Sequence, residues 1–350
     1  MSLTTVGGSV LRAGAAAWRR SANRRHQHRA TELVPGVLSQ IGDTARSWVA
    51  GPVVVSSTRT AVVPLGPPGR PPVAMAKFPG TPGGVRSQQR EGRMLGGLAA
   101  EPAVGDFTRF LPLRLTDGYV GAQPFVVERA MPGIAADIVG ESAAVGAASA
   151  IAVLHAHTAH PAVVDDALLR RWVDNRVDIL ARATRRRDAV ERLRRRLHAA
   201  WAGRHVEIGW VHGDFWPGNV IVDPATGAAA GIVDWEWAGP DELPAQDLVY
   251  ACIHTRIQAG GAELGDVVAG LLASPGWSAA ERELLHAARA PVEPVVDPDV
   301  LLLVWLRQIA ANLIQSPGLA RNPLWVLPNV ISVLRAIDTT TSHGRGKVVR

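Results

Sequence analysis

Residues 212–219, His-Gly-Asp-Phe-Trp-Pro-Gly-Asn, constrain the fold of this chain more strongly than any other stretch. Two short apolar runs flank them, Val206–Val211 before and Val220–Val222 after, and both are typical of β-strands. Glycine and proline inside the segment favour sharp bends. The pattern therefore predicts that Asp214 and Asn219 lie on one turn between two short strands.

A second carboxylate, Asp234, follows Asn219 by fifteen residues and comes directly after the run Gly231-Ile232-Val233. A hairpin would return Asp234 to the side of Asn219. Phosphoryl transfer requires metal-binding oxygens, a carboxylate that accepts or orients a hydroxyl proton, and a cation on the phosphates. The spacing lets Asp214 face an incoming hydroxyl while Asn219 turns towards a metal. Hard oxygen ligands of this kind suit Mg²⁺.

The order His-Gly-Asp-x-x-x-x-Asn and then Ile-Val-Asp-Trp-Glu resembles the aminoglycoside phosphotransferase family, which includes choline-kinase-like and sugar-kinase-like enzymes. The resemblance extends over roughly residues 50–340. It implies an α+β, bilobal protein-kinase-like fold with a small antiparallel-sheet N-lobe and a large, mainly helical C-lobe. It also implies that Asp214 is the catalytic base, that Asn219 and Asp234 bind Mg²⁺, and that His212 braces the loop.

Lysine is rare here, since Lys77 and Lys347 are the only two and every other basic side chain except histidine is arginine. The resemblance implies a strand lysine on the α- and β-phosphates and a helix glutamate that holds it. Lys77 and Glu91, fourteen residues apart, match those positions. Glu128 and Ala130, in the expected hinge, would offer backbone groups to the adenine of ATP, and GTP stays possible.

The predicted N-lobe covers residues 31–130, after a flexible basic arm at residues 1–30. Its elements are a short helix within 31–50, three strands in an antiparallel meander, a helix and two further strands. They are predicted at Val53–Val55, Thr60–Val63, Val73–Phe78, Gln88–Leu98, Phe110–Leu115 and Phe125–Val127. The run from Glu128 to Gly133 is predicted to link the lobes.

The predicted C-lobe covers residues 131–340 and is followed by a disordered tail at 341–350. Its apolar spacing indicates helices at Ser142–His157, Leu168–Ala183, Asp188–Trp201, Leu243–Gln258, Leu264–Leu272, Ala279–Ala290, Val300–Ile314 and Leu324–Ile337. Strands are expected only around the catalytic loop and before Asp234.

The formal net charge of +6 belongs to the N-terminal arm, because residues 1–30 hold six arginines and no acid. The rest of the chain has no net charge, which argues against nucleic acid as a partner of the folded body. We expect no membrane span, because the apolar runs are too short. Because the start of the chain shows no signal-peptide pattern, we expect the protein to be located in the cytoplasm. Cys252 is the single cysteine, which excludes an internal disulfide.

Several side chains near the motif have two readings each. Trp216, Trp235 and Trp237 could stack on a sugar, hold an amine, or simply pack in the core. Glu236 could assist the metal or cap the turn. Asp241 and Glu242 could attract a cationic substrate or belong to a solvated turn.

Two further features are also open. His155, His157 and His160 suggest a metal site, but ordinary histidines near a helix end are the simpler reading. The loop Ser56-Ser57-Thr58-Arg59 contains no glycine, although it would have to cover the phosphates.

The sequence therefore predicts an enzyme that moves the γ-phosphate of ATP, or of GTP, to a hydroxyl of a small molecule. An aminoglycoside, a sugar, an amino sugar or an amino alcohol could be that acceptor. One alternative is a catalytically inactive, kinase-like nucleotide-binding scaffold. Another is a nucleic-acid-associated protein that acts through its basic arm and the arginine-rich helix at 188–201. The oligomeric state stays open.

Overall fold

The computed structural model describes residues 24–56, 59–289 and 297–344. These residues form two compact units, the first drawn from Met1–Gln89 and Pro112–Met131, the second from Arg90–Leu111 and Pro132–Arg350. Residues 90–111 thus pack with the second unit, although they fall inside the predicted N-lobe. The predicted arm and tail lie largely outside the described residues. Residues 24–30, however, form the first turns of a helix.

The first unit contains one long helix and a six-stranded antiparallel sheet. Its order is β1-β3-β4-β6-β5, with β2 also paired to β3, so the predicted meander of the first three strands is present. The elements are α1 (24–41), β1 (Val49–Ala50), β2 (Val54–Val55), β3 (Thr60–Gly66), β4 (Ala74–Pro79), the start of α2 (Pro82–Ala100), β5 (Arg114–Val120) and β6 (Gln123–Arg129).

The core of the first unit lies where α1 covers the sheet. Val34 and Val37 of α1 are buried in one cluster with Val63, Phe78 and Phe125 of the strands. They lie three residues apart on α1, so both face the sheet on one side of the helix. This packing fixes β4 and β6 side by side, with Lys77 opposite Val126.

The strand predicted at Phe110–Leu115 is present but starts four residues later than predicted, as β5. Pro102–Phe110 forms 3-10 turns instead, with a kink at Gly105, and β5 begins only at Arg114. Glu101 caps the turns by accepting a hydrogen bond from the Ala103 N–H. Phe107 and Phe110 lie three residues apart and are both buried in the core of the second unit. Helical rather than strand spacing therefore explains the apolar pattern.

The second unit is mainly helical. Its helices are the end of α2, α3 (Ala136–Val139), α4 (Glu141–Thr158), α5 (Asp166–Leu169), α6 (Asn175–Ala183), α7 (Arg187–Trp201), α8 (Ala245–Gly260), α9 (Leu264–Ala273), α10 (Ala279–Ala287), α11 (Pro298–Gln315), α12 (Pro323–Val326) and α13 (Ser332–Gly344). Helix α11 is apolar around most of its circumference and is buried accordingly.

Two predicted helices are interrupted. The one predicted at Leu324–Ile337 is α12 and α13 joined by a wider π-type turn at Leu327–Ile331, where Pro328 removes a backbone donor. The one predicted at Leu168–Ala183 contains a similar turn at Arg170–Asp174 between α5 and α6. The described helices include none that is long and apolar enough to cross a bilayer.

Two small three-stranded sheets lie among these helices. One has the order β11-β10-β7, from Ala229–Ile232, Val220–Val222 and Ile134–Ala135. The other has the order β12-β9-β8, from Gly239–Glu242, His205–Val211 and His160–Val163. Because β9 ends at Val211 and β10 begins at Val220, the two sheets hold both ends of the loop at 212–219.

Gly133 enters β7 with a backbone φ of 127°, and a β-carbon there would lie 2.2 Å from the Val222 carbonyl oxygen. We expect Gly133→Ala to destabilise the protein by about 2 kcal/mol or more, because strain of this kind adds to the clash. Gly270→Ala, in the exposed part of α9 with nothing within 4 Å, is the matched control. The free energy of unfolding of this control should rise by about 0.5–1 kcal/mol. Urea unfolding measures both, and equal stabilities would contradict the prediction.

Candidate active site

The loop at 212–219 turns sharply at Gly213, where φ is 80°. A β-carbon at this position would lie 2.2 Å from the Trp237 carbonyl oxygen, so the close approach requires glycine. After Phe215 and Trp216 the chain forms a single 3-10 turn at Pro217–Asn219, as the bends in the sequence indicated. Asp214 thus lies on a turn between β9 and β10.

Asp247, in the first turn of α8, holds this loop. Its carboxylate accepts hydrogen bonds from the His212 N–H and the Gly213 N–H, both at 2.8 Å, and lies 3.0 Å from His155 Nε2. Burial alone would raise the pKa of Asp247, but its interactions with the His155 side chain and with His212, whose N–H it accepts, together lower it. The carboxylate therefore stays ionised. No spacing in the sequence singled out this residue.

Helix α11 contacts the same loop from another direction. Gln308 Nε2 donates to the Gly213 carbonyl oxygen at 2.7 Å, and an Arg307 N–H donates to the Trp237 carbonyl oxygen at 2.6 Å. Both main-chain partners belong to the segments that carry Asp214 and Asp234. Two helices therefore fix the backbone around these carboxylates.

His212 is completely buried beside Trp235, with ring centroids 4.6 Å apart, and its Nε2 lies 2.8 Å from the Val233 carbonyl oxygen. Burial lowers the pKa of His212, which favours the neutral ring. With its Nε2–H donated to Val233, the ring ties the catalytic loop to the strand that leads to Asp234. These contacts are those of a bracing residue, as the resemblance implied.

Asn219 and Asp234 come together through the β10–β11 hairpin. Val220 pairs with Ile232, and the Val233 N–H donates to the Asn219 carbonyl oxygen at 2.9 Å. Asp234 has a left-handed backbone, with φ 65° and ψ 52°. Such conformations are uncommon for a side-chain-bearing residue and cluster at functional sites.

The donor set of Asn219 and Asp234 fits Mg²⁺. Asn219 Nδ2 donates to the Asp214 carbonyl oxygen at 2.9 Å, which leaves the amide oxygen as the ligand atom of this side chain. One amide oxygen and one carboxylate suit an ion that keeps several waters and binds phosphate oxygens. Among the described residues, no three His, Cys, Asp or Glu side chains are grouped to hold a metal.

The two histidines at the end of α4, His155 and His157, and His160 at the start of β8 have separate contacts. His155 bonds to Asp247, His157 lies 3.4 Å from the Val104 carbonyl oxygen, and His160 lies 3.2 Å from the Thr158 carbonyl oxygen. Each ring therefore contacts a different part of the unit. The simpler, structural reading of these histidines agrees with this geometry.

The Asp214 carboxyl has a pKa raised to about 7, chiefly by burial and then by the negative charge of Asp234, with a smaller effect of Glu236. Hydrogen bonds from Tyr250 of α8 and from Asn219 oppose the rise. A carboxylate with a pKa near neutrality is well matched to general base catalysis. Tyr250 is a further contact that the sequence did not indicate.

The three tryptophans of the motif have different surroundings. Trp235 is completely buried against Phe107, with centroids 6.0 Å apart, and belongs to the core. The Arg90 guanidinium lies 4.5 Å from the centroid of Trp237. Trp216 stacks on His254 of α8, with ring centroids 4.0 Å apart.

In the first unit, Lys77 is almost buried and its Nζ lies 2.9 Å from Glu128 Oε2. The two residues lie on the adjacent strands β4 and β6. Glu128 was expected to act through its backbone, so this side-chain contact is a new observation. The Ala130 N–H donates to the Val73 carbonyl oxygen at 3.0 Å, and this engages the donor that Ala130 would offer to adenine.

Glu91 lies on the part of α2 that belongs to the second unit, where it is buried and its charge acts on His212. Its predicted hold on Lys77 stays a prediction. Ser57 and Thr58, from the loop expected over the phosphates, lie outside the described residues.

The sequence model of the phosphotransferase enzyme family (APH) matches residues 75–282. That range contains Lys77, Glu91, Asp214, Asn219 and Asp234, and it covers more than half of the chain. No curated protein matches this sequence.

Solved structures share the fold at low identity. The crystal structure of a type VIII aminoglycoside-3'-phosphotransferase is 19% identical, with 81% of this chain and 99% of that chain covered and a TM-score of 0.52. A thermostable mutant of aminoglycoside phosphotransferase APH(4)-Ia, in a ternary complex with ADP and hygromycin B, is 14% identical, with coverage of 86% and 97% and a TM-score of 0.54.

A mutant of aminoglycoside 2'-phosphotransferase-IIIa in complex with GDP is 16% identical, with coverage of 89% and 98% and a TM-score of 0.51. These likenesses confirm the predicted α+β, protein-kinase-like fold.

We expect Asp247→Asn to destabilise the protein by about 3 kcal/mol, because it removes a buried charge partner of His155 and an acceptor of a buried N–H. Asp266→Asn, on the exposed side of α9, is the matched control and should stay within about 0.5 kcal/mol of the wild type. Guanidinium unfolding measures both free energies. Equal stability of the two variants would show that Asp247 does not hold the loop.

Proposed function

The chain belongs to the phosphotransferase enzyme family, and from this premise we propose that it moves the γ-phosphate of ATP or GTP to a hydroxyl of a small molecule. The observation that carries the proposal is the grouping of Asp214, Asn219 and Asp234 on one braced turn and one hairpin of the second unit. Cytoplasmic localisation is part of the proposal.

Asp214 would act on the acceptor hydroxyl. As the hydroxyl oxygen forms its bond to the γ-phosphorus, the bond from that phosphorus to the bridging oxygen of the nucleoside diphosphate breaks. The hydroxyl proton passes to the Asp214 carboxylate. The bond from Tyr250 and the braced loop hold this carboxylate in one orientation, which would position it for the acceptor hydroxyl.

Asn219 and Asp234 would hold Mg²⁺. A bound Mg²⁺ supplies positive charge that offsets the charge of the phosphate oxygens. Lys77 would contribute a second positive charge on the α- and β-phosphates. Glu128 restricts the Lys77 ammonium through their contact, and Glu91 remains proposed as its other partner.

ATP and GTP both remain proposed donors. The similar APH(4)-Ia structure contains ADP, and the similar 2'-phosphotransferase structure contains GDP. These structures are aminoglycoside phosphotransferases, but at 14–19% identity they support only the fold, and the proposed reaction rests on the family and the site.

The inactive scaffold is the second candidate, favoured by the loop at 56–59, which has no glycine. Asp214, Asn219, Asp234 and Lys77 together favour turnover, because a scaffold that only binds would not need a base beside a metal site. The basic arm, on which the nucleic-acid alternative depends, lies mostly outside the described residues.

Asp214→Asn tests the proposal most directly. We expect about a 10²–10⁴-fold loss of kcat, because the amide cannot accept the hydroxyl proton. Phosphate transfer from ATP or GTP in Mg²⁺ is measured with a panel of sugars, polyols, amino alcohols and aminoglycosides. Asp106→Asn, an exposed change of the same kind, should retain full activity. Transfer that persists in Asp214→Asn would contradict the role of the base. No transfer to any acceptor by the wild type would favour the scaffold.

The acid limb of the pH profile gives a separate check. Asp214 must be ionised to accept a proton, so kcat should fall as the pH decreases through the pKa of this carboxyl. That pKa is raised to about 7, and bound Mg²⁺ would lower it by offsetting the charge of Asp234. We therefore expect the midpoint of the acid limb at or somewhat below pH 7, in kcat values measured from pH 5 to 9. A kcat that rises steadily towards pH 5 would contradict this assignment.

A further inference from the structure

From the charges around the catalytic loop we infer that the acceptor is an electrically neutral hydroxyl compound, such as a sugar or polyol, and not a polycation. This inference rests on the proposed function and deepens it. Each carboxylate from Trp235 to Asp247, the segment between the hairpin and α8, already bonds to a cationic or hydrogen-donating partner in the second unit.

Glu236 lies closest in sequence to the metal-binding pair, and its charge acts on Asp214. One carboxylate oxygen lies 2.8 Å from an Arg90 guanidinium nitrogen, and the other accepts a hydrogen bond from Gln315 Nε2 at 3.2 Å. The Arg90 guanidinium also lies over the Trp237 ring, which fixes it in place. Both oxygens of Glu236 are therefore occupied.

Glu242 is buried between two arginines. Its Oε1 pairs with Arg176 and its Oε2 lies 3.0 Å from Arg307 NH1, with Gln246 as a further donor. An ammonium group of a substrate would have to displace a buried guanidinium to reach this carboxylate. The displaced guanidinium would then be a buried charge without its partner, a cost that a single new contact does not offset.

Asp241 is the most exposed of the group, and its Oδ2 lies 2.9 Å from Arg171 NH1. Its other oxygen lies 3.8 Å from His160. The sequence suggested Asp241 and Glu242 as a cation site. Arg171, in the turn before α6, pairs with Asp241. Arg176 of α6 and Arg307 of α11 pair with Glu242. Asp247 is held by the catalytic loop and His155.

The face of α8 beside Asp214 is uncharged as well. Tyr250 bonds to Asp214, and His254 stacks on Trp216. Burial lowers the pKa of His254 to about 4, so the ring is neutral at neutral pH. Helix α3 contacts the Pro217–Asn219 turn, and Ile138 on this helix is 73% exposed. Apolar and neutral polar groups of this kind suit a compound with hydroxyls and C–H faces.

Asp137 is an exposed carboxylate beside this surface, and its charge acts on His254. It lies in the first turn of α3, where a negative charge is favourable without any ligand. One carboxylate at the edge does not match several ammonium groups. We therefore expect Asp137→Asn to leave the KM of the acceptor within about twofold.

Transfer rates at two salt concentrations test the inference. Glucose, maltose, myo-inositol and glycerol form the neutral panel, and kanamycin and tobramycin form the polycationic panel. We expect the best kcat/KM among the neutral compounds, at least about tenfold above the aminoglycosides. This kcat/KM should change little between 20 and 300 mM NaCl, although the Debye length falls from about 20 Å to about 6 Å. An aminoglycoside that is the best acceptor, with kcat/KM falling steeply as salt rises, would overturn the inference.

Binding experiments decide the matter independently of turnover. In calorimetry at low salt, kanamycin should show no saturable binding to the wild type with a Kd below about 1 mM. That Kd corresponds to a binding free energy of roughly 4 kcal/mol. Arg90→Gln and Arg171→Gln each release a carboxylate, Glu236 or Asp241, and should bind kanamycin at least about tenfold more tightly. Arg182→Gln, an exposed arginine on α6, is the matched control and should behave as the wild type.

Salt-sensitive binding of kanamycin to the wild type, unchanged in the two arginine variants, would refute the inference even if no acceptor is phosphorylated. If the proposed function is wrong, neither panel is phosphorylated, but the kanamycin affinities of the wild type and of the two arginine variants still test the inference. Arg171 is about half exposed, so its variant should fold even if Arg90→Gln does not.

Discussion

The loop at residues 212–219 depends on one buried carboxylate. Asp247 accepts the N–H groups of His212 and Gly213, the two residues that precede Asp214, and its interactions with His155 and His212 lower its pKa and keep it ionised. Two N–H groups at a sharp turn would otherwise be buried without partners, which costs more than a hydrogen bond gains. The same carboxylate also joins α4 and α8 at the loop. The position of Asp214 is thus set by the packing of two helices rather than by the loop alone.

The loop and the hairpin were predictable because their signals are local. Glycine and proline mark the bends between 212 and 219, and a short apolar run leads to Asp234, so the sequence alone indicated that Asn219 and Asp234 would meet. The start of the strand expected at Phe110–Leu115 was misplaced for a related reason, since a few apolar residues fit helical spacing and strand spacing equally well. Only the burial of Phe107 and Phe110 in the second unit shows that helical spacing applies to this part of the chain.

Partners distant in sequence could not be predicted. Arg90 and Glu236 are 146 residues apart, and Arg171 and Asp241 are 70 residues apart. Without the fold, the acids beside the motif looked available to a cation. The side chain of Glu128 was missed for the same reason, because strand pairing places it against Lys77. The residues expected to perform chemistry were therefore easier to identify than those that set their surroundings.

Arginine, rather than lysine, neutralises the acids near the loop, and this has a consequence for robustness. Burial lowers the pKa of Arg176 to about 10, yet the group remains protonated throughout the physiological range. A lysine starts from a pKa about two units or more lower, and the same desolvation would bring it close to losing its proton. Selection among acceptors should therefore be insensitive to acidification or alkalinisation within the physiological range. Only the rate of the chemical step, through Asp214, would follow the proton concentration.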